Sequence, residues 1–219
     1  MLHTVTDKVF LITTIRSKRF EYISSHLEQN GIEYQVVVAP DYEIISDNIK
    51  VLHSGKDNRS SVSLLSIYQS LIEMSKLSKY KKITIIEDDC YFVKNWKKLF
   101  TDFYDSLPKD WDLINLGYHP IHDSDTIKES YNQYAYIPRN WHHTTHCMMV
   151  SNNAYDEFLN LYPKWKYSIP IDYTFNEIYK NSQYKSFCPV EKIVYQLSVR
   201  DTVYPIDGTD LRFESAINL

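Results

Sequence analysis

Cysteine is scarce in this sequence: Cys90, Cys147 and Cys188 are the three in 219 residues, far apart and without CxxC spacing. An odd, scattered set of thiols argues against structural disulfides and for a reducing compartment. An excess of positive charge is also missing, since 24 Lys and Arg stand against 28 Asp and Glu for a net charge of -4. No overall basic field is available to hold a nucleic-acid backbone, so nucleic acid is not an expected partner. No run of about 18 apolar residues occurs, which predicts no membrane span. Met1 to Lys8 lack the cationic stretch and apolar core of a signal peptide, so a cytoplasmic soluble protein is the expectation. Glycine is rare, 4 residues against 19 tyrosines. Aromatic side chains with one polar tip suit wet clefts as well as cores.

What is present is the make-up of an ordered globular protein, 43% hydrophobic and 24% charged, which excludes a disordered chain. The length allows one large α/β domain with a sizeable core. No internal repeat, linker or low-complexity stretch divides it.

Lys8 to Thr14 is a continuous apolar run of the kind a parallel sheet buries on both faces. Tyr22, Ile23 and Leu27 follow at helical spacing and stop at Asn30-Gly31. Glu33 to Ala39 reads as a second strand closed by Pro40, completing a βαβ unit. Residues 41–60 are polar and aperiodic, a loop by pattern. From Ser61 to about Lys79 the apolar positions recur near a period of 3.6, predicting a helix.

The third strand, from Lys82, ends in three consecutive carboxylates, Glu87-Asp88-Asp89. Ligand sites in α/β sheets lie just beyond the carboxyl ends of such strands. Mutual repulsion of the acids is relieved by a bound divalent cation or by open water, so a metal site and a solvated acidic turn are the two readings.

Further along, Trp96, Leu99, Phe100, Phe103 and Leu107 share a helical face that Pro108 ends. Trp111 to Gly117 predicts a short strand and 118–140 a loop. His146 to Ser151 predicts a strand, Asn152 or Asn153 caps a helix through Tyr162, and Pro170-Ile171-Asp172 opens another through Tyr179. Glu191 to Gln196 is the last predicted strand. His142, His146 and Cys147 invite a zinc reading, which strand-like Met148-Met149-Val150 and the lack of a fourth ligand oppose.

Taken in order, Val9-Phe10-Leu11-Ile12 with Arg16-Ser17 and Arg19, Ala39, Ile85-Ile86-Glu87-Asp88-Asp89, Trp111 to Gly117, His146 to Ser151 with Ala154, and Pro170-Ile171-Asp172 resemble glycosyltransferase family 25, the lipooligosaccharide and collagen-type glycosyltransferases. The resemblance spans nearly the whole chain and rests on the order of its pieces. It implies an α/β, GT-A-like three-layer αβα sandwich with a mostly parallel central sheet in a single domain over 1–219. Within it, 1–117 would be the nucleotide-sugar-binding half and 118–219 the acceptor-side half. It also implies a UDP-sugar donor, a Mn²⁺ or Mg²⁺ ion at its diphosphate, an inverting hexosyl transfer to a glycan or glycosylated acceptor, and a place in glycan or lipopolysaccharide biosynthesis. The family's Gly-Cys and Ser-His positions are Arg59-Ser60 and Ser63-Leu64 here, so the serine persists and the histidine does not.

Under that resemblance Glu87 and Asp89 are the metal ligands and Asp88 faces ribose or sugar hydroxyls. Thr13, Arg16, Arg19, Ala39, Pro40, Asp41 and Ser63 border the donor, with the arginines on uracil oxygens or phosphates. The alternatives are a helix-start pair for the arginines, a turn for Asp41 and a helix cap for Ser63. His146 lines the acceptor side or contacts donor phosphate, or is a semi-buried structural histidine. Inverting transfer needs a base near the attacking hydroxyl. Asp172 is the first candidate and Asp112 the reserve; an N-cap and a strand-end acid are their structural readings. Arg200 or Asp201 would complete the site. The rival functions are a metal-dependent nucleotidyltransferase and a glycan-binding or scaffold protein on a degenerate transferase fold.

Overall fold

The computed structural model describes residues 2–15, 17–40, 59–117, 119–120, 128–139, 142–165 and 171–197. In chain order the elements are α1 (Leu2–Val5), β1 (Lys8–Thr14), α2 (Phe20–Gln29), β2 (Gln35–Ala39), α3 (Arg59–Leu77), β3 (Lys82–Glu87), β4 (Cys90–Phe92), α4 (Trp96–Asp105) and β5 (Leu113–Asn115). They continue with β6 (His119–Pro120), β7 (Lys128–Ser130), β8 (Ala135–Pro138), β9 (His142–His143), β10 (Cys147–Ser151), α5 (Asn152–Trp165), α6 (Ile171–Lys180), β11 (Ser186–Pro189) and β12 (Val194–Gln196).

One eight-stranded sheet, in the order β2-β1-β3-β10-β5-β11-β8-β7, organises the molecule. Strands β2, β1, β3, β5, β11 and β7 run one way, while β10 and β8 run against them. The sheet is therefore mostly parallel in direction, and the fold is an α/β three-layer sandwich. Alternation along each strand assigns the layers, because successive side chains point to opposite faces. Val9 and Leu11 of β1 and Met149 of β10 pack with Ile23 and Leu27 of α2 and Trp96, Phe100 and Phe103 of α4. Phe10 and Ile12 and Met148 and Val150 pack on the other face with Tyr68 and Ile72 of α3, Phe158 of α5 and Phe175 of α6.

Several expectations need correction. The stretch 118–140 is not all loop: β7 and β8 pair there as an antiparallel edge of the sheet. Strand β11 has no counterpart among the predicted elements, yet it sits between β5 and β8. The last predicted strand shortens to β12, which leaves the main sheet and pairs antiparallel with β4. The segment before β10 is extended at β9, so His142 and His146 do not share a helical face.

The parallel register aligns the carboxyl ends of three strands, with Ile12 beside Glu87 and Thr14 beside Ala39. Antiparallel β10 brings its amino end to the same edge, where the carbonyl of His146 accepts the N–H of Glu87 at 2.9 Å. Two chain segments far apart in sequence thus meet at one place.

Candidate functional site

At that edge a cleft of about 170 Å³ is lined by Ile12 to Thr14, Arg19, Ala39, Pro40, Ser63, Leu64 and Glu87 to Asp89. Strand β3 ends at Glu87, and Asp88 and Asp89 form the turn into β4. The three carboxylates point to three different environments.

Asp88 is buried and fully engaged. Its Oδ2 accepts the Thr13 hydroxyl at 2.7 Å, and Oδ1 accepts Nε and Nη2 of Arg19 at 3.2 and 3.0 Å. The paired charges compensate the desolvation that either would suffer alone. Thr13 and Arg19 reach it from the end of β1 and the start of α2, on the face opposite α3.

Glu87 turns toward α3. Its Oε1 accepts the Tyr68 hydroxyl at 3.0 Å and the Thr145 hydroxyl at 2.6 Å. Burial and then the charges of Asp89 and Asp172 push its carboxyl from 4.5 up to about 8, against the lowering effect of those two hydrogen bonds.

Asp89 is held from the C-terminal side of the described chain. The Gln196 amide donates to Oδ2 at 2.9 Å, and the Leu197 N–H donates to the Asp89 carbonyl at 2.6 Å. Oδ1 is buried and has no hydrogen-bond partner of ordinary geometry among the described residues. Burial raises the pKa of this carboxyl, and the Arg19 charge and Gln196 amide oppose the rise. A buried carboxylate oxygen without a donor is unfavourable unless a proton or a cation meets it.

Asp172 is the second residue of α6, close enough for its charge to act on Glu87. Burial pushes its carboxyl from 3.8 up to about 6, opposed by the backbone N–H groups of Thr144 and of its own residue. Its Oδ1 is buried and has no hydrogen-bond partner of ordinary geometry among the described residues.

The turn 144–146 closes this side. The Thr145 carbonyl, 2.8 Å from the Tyr68 hydroxyl, shares that hydroxyl's one hydrogen with Glu87. Asn115 donates to the Thr144 carbonyl at 3.0 Å and accepts the Gly117 N–H at 3.0 Å. His146 is buried with its imidazole on the Gly117 backbone: a Cβ there would lie 2.1 Å from Nε2. Gly117 is required by this approach.

Of the residues singled out by sequence, the structure gathers Thr13, Arg19, Ala39, Pro40, Ser63, Glu87, Asp88 and Asp89 around one cleft. The Ser63 hydroxyl donates to the Pro40 carbonyl at 2.5 Å, tying α3 to the end of β2. Asp112 lies at the opposite edge of the sheet, where β5 begins. It accepts the Ser151 hydroxyl at 3.3 Å, the Asn153 amide at 2.9 Å and the Lys185 N–H at 2.8 Å. Arg16, Asp41, Arg200 and Asp201 lie outside the described residues.

Sequence reasoning passed over Tyr68, Asn115, Thr145 and Gln196. Asn115 alone carried a signal, as an amide inside an apolar strand pattern where asparagine is disfavoured. The others look like ordinary helix, loop and strand residues until the chain is folded.

No protein-family model matches the sequence, and no curated protein matches it. Among solved structures the chain is similar to a UDP-glucose pyrophosphorylase complexed with UDP-glucose, at 10% identity over 86% of this chain and 92% of that chain, TM-score 0.49. It is similar also to a glycosyltransferase involved in the glycosylation of the major capsid of PBCV-1, at 12% identity over 84% and 92% of the two chains, TM-score 0.40. The inositol-1-phosphate CTP transferase from T. maritima gives 13% identity over 83% and 84%, TM-score 0.44. Likeness of this degree reaches no further than the course of the chain.

Proposed function

We propose that this protein is a metal-dependent, inverting glycosyltransferase that moves a hexose from a UDP-sugar to a hydroxyl of a glycan or glycosylated acceptor. The observation that carries the reading is the buried Oδ1 of Asp89, which has no hydrogen-bond partner of ordinary geometry among the described residues, next to Glu87 and beside a cleft at the carboxyl edge of β1, β2 and β3. The motif order that resembles glycosyltransferase family 25 is consistent with it.

Mn²⁺ or Mg²⁺ fits this donor set. Small divalent cations are commonly held by one or two carboxylates together with substrate phosphates, and not by a complete protein cage. Among the described residues no three His, Cys, Asp or Glu side chains form such a cage. Glu87 and Asp89 would hold the ion, which would supply Lewis-acid neutralisation of the leaving diphosphate. Gln196 fixes the orientation of Asp89, as an outer hydrogen bond does for a metal ligand. Arg19, oriented by Asp88, contributes positive charge to the donor side, where Thr13, Ala39, Pro40 and Ser63 form the wall. Asp172 is the base: with its carboxyl near 6, it is ionised at neutral pH and can take the proton of the attacking hydroxyl.

Incubation with Mn²⁺, a panel of UDP-sugars and glycan acceptors tests the reading. Free UDP with a lengthened acceptor is the expected product. Release of pyrophosphate would assign a nucleotidyltransferase, and UDP binding without metal dependence or turnover would assign a binding protein. Among the described residues no helix is long and apolar enough to cross a membrane.

A further inference from the structure

Glu87, Asp88 and Asp89 bring three carboxylates to the end of β3, and protein donors occupy their oxygens unequally. Asp88 gives up both, Oδ2 to the Thr13 hydroxyl and Oδ1 to the Arg19 guanidinium. Asp89 gives up Oδ2 to the Gln196 amide at 2.9 Å. Glu87 gives up Oε1, which accepts the Thr145 hydroxyl at 2.6 Å and lies 3.0 Å from the Tyr68 hydroxyl. Because the Tyr68 hydrogen is shared with the Thr145 carbonyl, the Thr145 hydroxyl is the firmer of the two caps.

Among the described residues, Oε2 of Glu87 and Oδ1 of Asp89 are left without a hydrogen bond of ordinary geometry. Both acids line the cleft, and Asp89 is only 9% exposed. The chain thus offers an ion one oxygen from each of two acids. On Glu87 two hydroxyls meet the lone pairs of Oε1, so that oxygen has no room for a cation beside them. Ca²⁺ takes about 6 to 8 oxygens and often grips both oxygens of one carboxylate, whereas smaller six-coordinate ions are held by one or two carboxylates with phosphate and water.

We propose that Thr145, backed by Tyr68, sets the metal selectivity of the cleft: by capping Oε1 it makes Glu87 a one-oxygen ligand, which serves Mn²⁺ and Mg²⁺ and disfavours Ca²⁺. The assignment rests on the metal-dependent reading above and names a positioning role for two residues that touch neither ion nor substrate.

Titration calorimetry of UDP in Mn²⁺ and in Ca²⁺ reads the selectivity as a ratio of affinities, which a loss of packing alone would leave unchanged. Wild type is expected to bind UDP at least about tenfold more tightly with Mn²⁺ than with Ca²⁺. Thr145→Val, close in shape but without the hydroxyl, should bring that ratio to within about threefold, and Thr145→Ser should restore it. Tyr68→Phe should lower the ratio in the same direction, and it decides the matter if Thr145→Val does not fold. A wild-type ratio that persists in folded Thr145→Val overturns the assignment, as does a variant that weakens UDP binding equally with both ions. Wild-type UDP binding strengthened alike by Mn²⁺ and Ca²⁺ overturns this assignment alone, whereas binding that neither ion strengthens overturns the metal-dependent reading and this assignment with it.

Discussion

Replacing Glu87 by glutamine should make the metal-free protein more stable at alkaline pH. Glutamine is nearly isosteric, and its Oε1 can accept the same hydroxyls of Tyr68 and Thr145 that Glu87 accepts at 3.0 and 2.6 Å. What the substitution removes is a carboxyl that burial, Asp89 and Asp172 raise from 4.5 to about 8. A folded-state pKa above the unfolded one means that the native chain binds the proton more tightly. That contribution is fully present below about 4.5 and is lost as pH rises through about 8. At about 1.36 kcal/mol per pKa unit the full rise corresponds to roughly 5 kcal/mol. Solvent reaches part of the side chain and screens the charge, so about 2 to 3 kcal/mol is the expected gain on substitution. For a chain of this size that is roughly 5 to 10 °C in melting temperature. Thermal unfolding in EDTA at pH 4.5, 6, 7.5 and 9 measures it. The two proteins should nearly coincide at the acid end and diverge progressively toward pH 9. Parallel curves across the whole range would refute the placement of Glu87 in a charge-poor, acid-lined site.

Asp112→Ala should lower stability by about 2 to 3 kcal/mol in urea titrations, because it strips the acceptor from Ser151, Asn153 and the Lys185 N–H. Its kcat should be unchanged, since it lies at the far edge of the sheet. Gly117→Ala should cost about 2 to 4 kcal/mol and most of the activity, because the new methyl would occupy the place of the His146 imidazole. In the pH profile of kcat, activity should rise through an acid limb near 6, set by Asp172. Asp172→Asn should remove that limb and lower kcat about 10²- to 10⁴-fold, as read in steady-state rates of UDP release.

The parts of the fold that depend on local pattern were legible in the sequence. Lys8–Thr14 and Lys82–Glu87 are runs of buried apolar residues, and their period-2 alternation assigns side chains to the two helical layers. The acids at the end of β3 marked the cleft because strand ends are where α/β sheets place ligands. The rest depends on tertiary neighbours. Ser186-Phe187-Cys188-Pro189 has no strand signature of its own and becomes β11 by pairing with Leu113 and Ile114 on one side and Tyr136 on the other. Lys128–Ser130 is polar and extends the sheet only because β8 is beside it. Gln196 reaches Asp89 across 107 positions of sequence, a distance at which no spacing rule operates. The same holds for Thr145, a loop residue by pattern that holds Glu87 in the folded chain. The carboxylates that line the cleft could thus be picked out, while the side chains that hold them could not.

Titration calorimetry of UDP against the purified protein, with and without Mn²⁺, compared between wild type and Asp89→Asn, measures whether Asp89 holds a metal at the nucleotide. UDP binding is expected to strengthen at least about tenfold with Mn²⁺ and to lose that gain in Asp89→Asn, whose fold is otherwise intact. Equal UDP affinity in all four conditions, or a Mn²⁺ effect that survives the loss of the Asp89 carboxylate, would contradict it.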